Sequence, residues 1–338
     1  MGRGRAWMVC LLLLSVTGCS TTRVVRLDTG TGSPKVHTPS EDASPVELDE
    51  DEFAEAVERL ARDVRPFAHP LREARQRFGV PERGGVYLYE GRRLVPVGDD
   101  GDGASSPQLL ESYSDEVLTR DYGRWCEREH QGGDCLRLLE EGPLLGSDGR
   151  YALALAIAMA GVWEETGEAL EGLANPHAVR ATLTASVAMY LLLWSLPEPL
   201  STGMASLLTA TAIAYLGVDT VWRVLDAWVV MVRRVDAART FEELSAAGEA
   251  YGEVLGENAA RVFVMLATAA VGRTAGLAAK SAGLPGSARA ALAVEGQAGF
   301  AFTALRSVES VALTAEGFTV VLAPGTRGGP RTLQPATR

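Results

Sequence analysis

Four cysteines, at positions 10, 19, 126 and 135, are the side chains whose spacing speaks most directly to chemistry. Cys19 closes the run Ser15-Val16-Thr17-Gly18-Cys19, which matches a bacterial lipobox. It follows Arg3, Arg5 and an uncharged stretch from Ala6 to Val16, the pattern of a secretion signal. The apolar run is shorter than the roughly 20 residues a spanning helix needs. Cleavage before Cys19 is expected, with a diacylglycerol carried on its thiol, so residues 1–18 read as a signal peptide. Two or three acyl chains, at roughly 0.8 kcal/mol per buried CH₂, hold a protein on a membrane where one chain does not. The bland alternative is an ordinary cleaved signal with a chance cysteine. Ser20, where an Asp would retain a lipoprotein at the inner membrane, favours the outer membrane.

Cys126 and Cys135 sit in WCEREHQGGDCL. In an exported chain, an even pair at short spacing reads as a disulfide. A loop this small adds about 2–3 kcal/mol in the chain-entropy account. The rival is a metal site that also uses His130, although C-x₈-C is not a zinc-knuckle spacing.

Other chemistry is hard to find in the sequence. It contains no GxxxxGK[ST], no HExxH and no G-x-S-x-G. Histidines at 37, 69, 130 and 177 are scattered, so no metal or other cofactor is expected. Glu164 and Glu165 are adjacent, and neighbouring helical residues point different ways. A net charge of −11 argues against a nucleic-acid partner. No catalytic site is expected.

The elements around these residues follow from periodicity. Residues 19–48, with many Thr, Ser, Pro and Gly, read as a disordered tether. Nine acidic residues and no Lys or Arg lie between Glu41 and Glu58, a solvated start leading into a helix N-terminus. Phe53, Val57, Leu60 and Val64 recur at helical spacing, and a short helix is expected from about Pro70 to Phe78. Val86–Tyr89 and Leu94–Val97 flank a turn and read as a β-hairpin. Val117–Arg128 and Leu136–Glu141 look helical. Residues 49–147 are thus a small α+β region. From about Asp148 the composition turns apolar, and residues 148–306 read as a helical region. Thr240 and Glu243 fit a capping box, while Asn258 and Ser287 are candidate N-caps. Gly272 and Gly276 have a small-residue spacing that lets helices approach. Val308–Leu313 and Phe318–Leu322 form a second hairpin over 307–323, and 324–338 is a tail or linker. The fold class expected is mainly α: a small N-terminal α+β region with a hairpin and a disulfide loop, then an apolar helical bundle and a C-terminal β-hairpin.

Two stretches are uncharged, 181–196 and 200–218, and Pro197-Glu198-Pro199 separates them. They read as a helical hairpin, 181–218, with Leu192, Trp194, Ala212 and Tyr215 as membrane-insertion candidates. Trp194 and Tyr215 near its two ends would suit the two interfaces of a bilayer. The first helix is short for a full span, and the second is diluted by Ser and Thr. The competing reading is a hairpin buried in a soluble all-α core.

Several stretches together resemble the N-terminal region of the SitA-type polymorphic toxin lipoproteins of myxobacteria. They are the lipobox followed by CSTTRVVRLDTGTG (19–32), PVELDEDEFAEAVERLARDVRP (45–66), RWCEREHQGGDCLRLLEEGP (124–143), DGRYALALAIA (148–158), PEPLSTGMASLLTATAIAYLGVDTVW (197–222), ENAARVFVMLATAAVG (257–272) and SVESVALTAEGFTVVLAPG (307–325). The resemblance implies an outer-membrane lipoprotein exchanged between kin cells, whose shared part carries a variable C-terminal toxin towards the recipient's cytoplasm. It implies as partners membrane lipid through Cys19, an outer-membrane exchange machinery and the recipient inner membrane, with an immunity protein where a toxin is present. In that pattern the toxin begins after about Pro324-Gly325, so a delivery region without a recognisable toxin is expected here. A structural envelope lipoprotein, and a pore-forming toxin acting through 181–218, are the alternatives.

Overall fold

Helix α1, Glu50–Ala61, starts where Asp49 caps the Glu52 N–H at 2.7 Å and acids fill the first turn. It buries Phe53, Ala56, Val57 and Leu60. The computed structural model describes residues 23–30, 32–40, 44–81, 87–90, 93–96, 107–128, 132–140, 142–196, 200–273, 276–324 and 326. Helix α2 is Pro70–Phe78, entered through Pro70 and stopped by left-handed Gly79. Strands β3, Tyr87–Glu90, and β4, Arg93–Pro96, pair as the expected hairpin. Helix α3, Pro107–Arg128, carries Cys126 to the disulfide with Cys135.

Residues 136–140 are turns, not the expected helix. The Asp134 carboxylate accepts the N–H groups of Leu138 (2.8 Å) and Leu139 (2.9 Å) and the Tyr122 hydroxyl (2.6 Å). Arg137 takes a left-handed φ of 56°, which breaks helical propagation. Its guanidinium donates to the carbonyls of Phe67 (2.8 Å) and Ala68 (2.7 Å), tying the loop to the segment before α2.

Among the described residues further helices follow: α4 Ser147–Ala158, α5 Ala160–Leu170, α6 Pro176–Leu193, α7 Gly203–Leu216, α8 Val218–Ala237, α9 Phe241–Leu255, α10 Glu257–Val271 and α12 Ser287–Ala298, with a single turn α11, Leu277–Lys280, between the last two. The Thr240 cap of α9 forms, accepting the Glu243 N–H at 3.2 Å, while the Glu243 carboxylate reaches one residue past the cap to the Arg239 N–H at 2.7 Å. Two expected caps do not form. Left-handed Gly286 precedes α12, so Ser287 is already its first helical residue. Asn258 lies inside the first turn of α10, where its amide accepts from Leu48 N–H (2.9 Å) and donates to Val46 O (3.0 Å).

A five-stranded sheet closes the structure, in the order β2-β1-β7-β6-β5. β6 (Val308–Thr314) and β7 (Gly317–Leu322) form the expected C-terminal hairpin. β5, Leu200–Thr202, forms one edge, so the second apolar helix starts at Gly203 rather than Leu200. β1, Val24–Asp28, runs parallel to β7, and β2, Lys35–His37, forms the other edge. The expected tether therefore holds two strands. Val25 and Leu27 are buried, as are Val46 and Leu48 further along. A five-residue strand amid Thr, Ser and Gly has only the three-residue β2 beside it locally, and its other partner, β7, lies almost 300 residues away.

One hydrophobic cluster runs from Val25 to Leu322, so the composition shift near residue 148 does not divide the core. α1 packs on α5 and α10, and α2 on α6.

Helices α4 and α9 approach most closely through Gly248 and Gly252. A Cβ there would lie 2.5 Å from Ala154 O and 2.6 Å from Ala158 O. Gly272 instead ends α10, and an added Cβ there would collide with the Lys280 ammonium. Alanine at 248 or 252 is therefore expected to destabilise by about 1–3 kcal/mol, because the backbone across the contact must move. Gly167→Ala, in an open position of α5, is expected to stabilise by about 0.5–1 kcal/mol. Urea midpoints of the three variants check this, and an equal gain at all three would disprove the close contact.

Candidate functional site

The four insertion candidates lie in the interior: Leu192 and Ala212 are 0% exposed, Tyr215 0% and Trp194 1%. α6 begins at the Asn175 cap, whose side chain accepts the Ala178 N–H at 3.1 Å, with Pro176 in the first turn. From Ala181 to Leu193 every residue of it is buried. α7 is buried over all but its first turn and Leu207. Both helices pack on α10. They meet where the hydroxyls of Tyr190 and Thr209 lie 2.9 Å apart. Trp194 ends α6 and stands edge-on to Phe318 of β7, with ring centroids 6.4 Å apart. Tyr215 donates to Pro285 O at 2.9 Å, and its own carbonyl accepts the Val46 N–H at 2.7 Å. Trp194 and Tyr215 thus answer to the C-terminal sheet and to the N-terminal arm respectively.

Most of the hydroxyls that dilute these helices turn back onto backbone carbonyls, while Thr184 Oγ1 is buried with no hydrogen-bond partner. Thr182 donates to Ala178 O (2.8 Å), Ser186 to Thr182 O (2.7 Å), Thr209 to Ala205 O (2.9 Å) and Thr211 to Leu207 O (2.7 Å). Since Thr209 spends its one proton on Ala205, the Tyr190 hydroxyl is the donor between the two helices. Thr182 also accepts the Phe67 N–H at 2.9 Å, which fastens the entry to α2 onto α6.

The buried phenols hold their protons. Burial raises Tyr190, Tyr251 and Tyr215 above the ordinary phenol range. Burial, then the Asp134 carboxylate, does the same to Tyr122. Each is neutral at physiological pH and not a candidate base.

Glu165 is not half of an acid pair with Glu164. It accepts both arms of the Arg261 guanidinium, at 2.8 and 2.9 Å. Arg261 also donates to Leu48 O at 3.1 Å, and its pKa is raised, chiefly by the hydrogen bond to Glu165. Arg261 and Asn258 thus hold the arm at residues 46–48, one turn apart on α10.

The Cys126–Cys135 bond consumes both thiols, which removes the thiolates a metal site with His130 would use. Among the described residues no group of three or more His, Cys, Asp or Glu could hold a metal ion. Cys19 and His130 lie outside the described residues.

Two open grooves of about 400 Å³ each mark the surface. One is lined by Asp134, Cys135, Arg137, Asn175 and His177, and its Asp134, Arg137 and Asn175 are committed to the bonds above. The other, between α8 and α9, has an apolar floor of Val230, Met231, Ala247 and Val254 with Arg223 and Arg234 among its lining residues. Among the described residues no single helix is long and apolar enough to cross a membrane. α9 and α10 pass that test as a pair but meet at 94°.

Comparison of the chain with protein-family models, curated proteins and solved structures finds no match. The class that the fold defines is a mainly helical protein whose N- and C-terminal strands share one sheet.

Proposed function

We propose that this chain is an outer-membrane lipoprotein of the delivery type, anchored through Cys19 and carrying what is joined to its C-terminal end into kin recipient cells. The observation that carries this is the lipobox at Cys19 behind a basic start and a short apolar run. The quoted segments, spread from residue 19 to residue 325, support the kin-exchange part. The fold bears on how such an anchor would hold the body. β1 begins at Val24, so at most about 17 Å of extended chain separates it from Cys19. The body then sits against the bilayer surface rather than on a long tether.

The test is a reporter fragment fused to Arg338, with its complement in the cytoplasm of a kin recipient and Cys19→Ala beside it. A cytoplasmic signal that depends on Cys19 is expected. Normal surface anchoring with no signal would refute delivery. That outcome would favour the second reading, a structural envelope lipoprotein, which the uninterrupted core supports. Pore formation through 181–218 is the weaker reading, because these helices are the most buried part of the chain and would have to leave it.

A further inference from the structure

We propose that strands β1 and β7 form a mechanical clamp that keeps the body folded when the two ends of the chain are pulled apart. The two strands are neighbours and run parallel, in register from Val24↔Gly317 to Asp28↔Val321. The chain enters β1 at Val24 and leaves β7 at Leu322, at opposite ends of that ladder. Tension between the ends drags β1 backward and β7 forward along one axis. The rungs are then loaded together, in shear. Had the two strands been antiparallel, the ends would leave side by side and the ladder would peel one bond at a time.

The fastening is concentrated where the pull enters. Val24 N–H donates to Glu316 O at 2.8 Å, and Arg26 pairs with the Glu316 carboxylate at 3.1 Å. The Arg23 guanidinium lies 3.6 Å from the ring centroid of Trp222 on α8. The Trp222 indole N–H in turn donates to Thr314 O at 3.3 Å, next to the β6–β7 turn. At the other end, Ala323 N–H donates to Ser307 O at 2.7 Å. Between them Val25 and Leu27 are buried, so sliding would also draw apolar side chains out of the core. β1 cannot slip without moving along β2 as well, and the His37 ring of β2 is bonded to Gly296 O of α12 at 2.9 Å.

The clamp is a property of the fold and stands whether or not Cys19 is acylated. Where Cys19 is anchored, this ladder is the path by which force passes between the bilayer and anything attached after β7. It would let the carrier be dragged without unravelling.

Single-molecule force spectroscopy tests it on the full chain. One geometry uses handles at the N- and C-terminal ends. The other uses the C-terminal handle and a thiol at Ser33→Cys, an exposed position in the β1–β2 turn. The second geometry pulls on the same end of the β1–β7 ladder and peels it. Forced unfolding reads the barrier along the pulled direction, so end-to-end pulling is expected to need about twice the force or more at equal loading rate. Val24→Pro, which deletes the bond to Glu316 O, should lower the end-to-end force. Should that variant not fold, the two geometries still decide the matter. Equal forces in both directions would overturn the proposal.

Discussion

Leu192→Asp is expected to abolish the folded state. Leu192 is wholly buried in α6. Truncating such a leucine costs about 2–5 kcal/mol through lost burial and the cavity left behind. The new carboxylate has no cation within its own apolar stretch, since 181–196 is uncharged. It must stay neutral at pH 7, which costs roughly another 4 kcal/mol for a pKa displaced by about three units. Together these match the whole stability of an ordinary domain, about 5–15 kcal/mol. Ala212→Asp, equally buried in α7, adds overpacking to the same charge penalty. Leu292→Asp, at a side chain 83% exposed on α12, is the control and should change stability by under about 0.5 kcal/mol. Circular dichroism and urea unfolding of the three variants settle it. Folded, cooperative Leu192→Asp and Ala212→Asp chains would mean that these helices do not lie in the core in solution. The consequence for function is direct. Neither substitution separates insertion from stability, so a delivery defect in either would report unfolding alone.

What the sequence revealed and what it hid divide along the range of the interactions. Short-range signals read true: Pro70 and Phe78 bound α2, Thr240 caps α9, the turn at Ala315-Glu316-Gly317 folds a hairpin, and two cysteines nine residues apart join. Each needs only neighbours along the chain. The N-terminal arm failed for the opposite reason. Val24 to Asp28 is a strand because β7 lies beside it, and Val46 is buried because Tyr215, Asn258 and Gly286 surround it. Composition reports a tether there, since Thr, Ser and Pro dominate on either side. The same limit explains the glycines. Gly272 and Gly276 drew attention by spacing, whereas the close approach uses Gly248 and Gly252, which have the same spacing within an ordinary amphipathic helix. The difference lies in which face meets α4.

The apolar stretches illustrate a second limit. Uncharged helices of this length suit a membrane or a core, and the pattern within one helix does not choose. The choice is made by partners. α6 is enclosed by α2, α4 and α10, and α7 by α10, α12 and the sheet, and most of their hydroxyls turn back onto their own carbonyls. Asn258, which holds the arm in place, looked like a cap, and nothing in the sequence singled out Arg261 beside it. Their role depends on carbonyls and amides more than 200 residues away.

Raising the pH above 10 is expected to unfold the chain abruptly. Four phenols, on Tyr122, Tyr190, Tyr215 and Tyr251, have folded pKa values held above the ordinary phenol value of about 10, first of all by burial. In the unfolded chain each ionises near pH 10, while in the folded chain it keeps its proton. Above pH 10 the unfolded state therefore binds fewer protons than the folded state, and stability falls as pH rises. Below pH 10 both states are protonated and the contribution is complete. Each phenol removes about 1.4 kcal/mol per pH unit over this range, so four consume a typical domain stability within about one to three units. Lysine adds little to this window, because the sequence has only two lysines and the other 30 basic residues are arginine, which stays charged. Urea midpoints measured from pH 8 to about pH 11 should be level at first and then drop steeply. Tyr190→Phe should lose about 1 kcal/mol at neutral pH through the missing bond to Thr209, and should show a slope shallower by one phenol above pH 10. Tyrosinate absorbance should rise in step with unfolding. Gradual ionisation near pH 10 in a chain that stays folded would mean that these hydroxyls are open to water, and the enclosed core argued from them would fall with it.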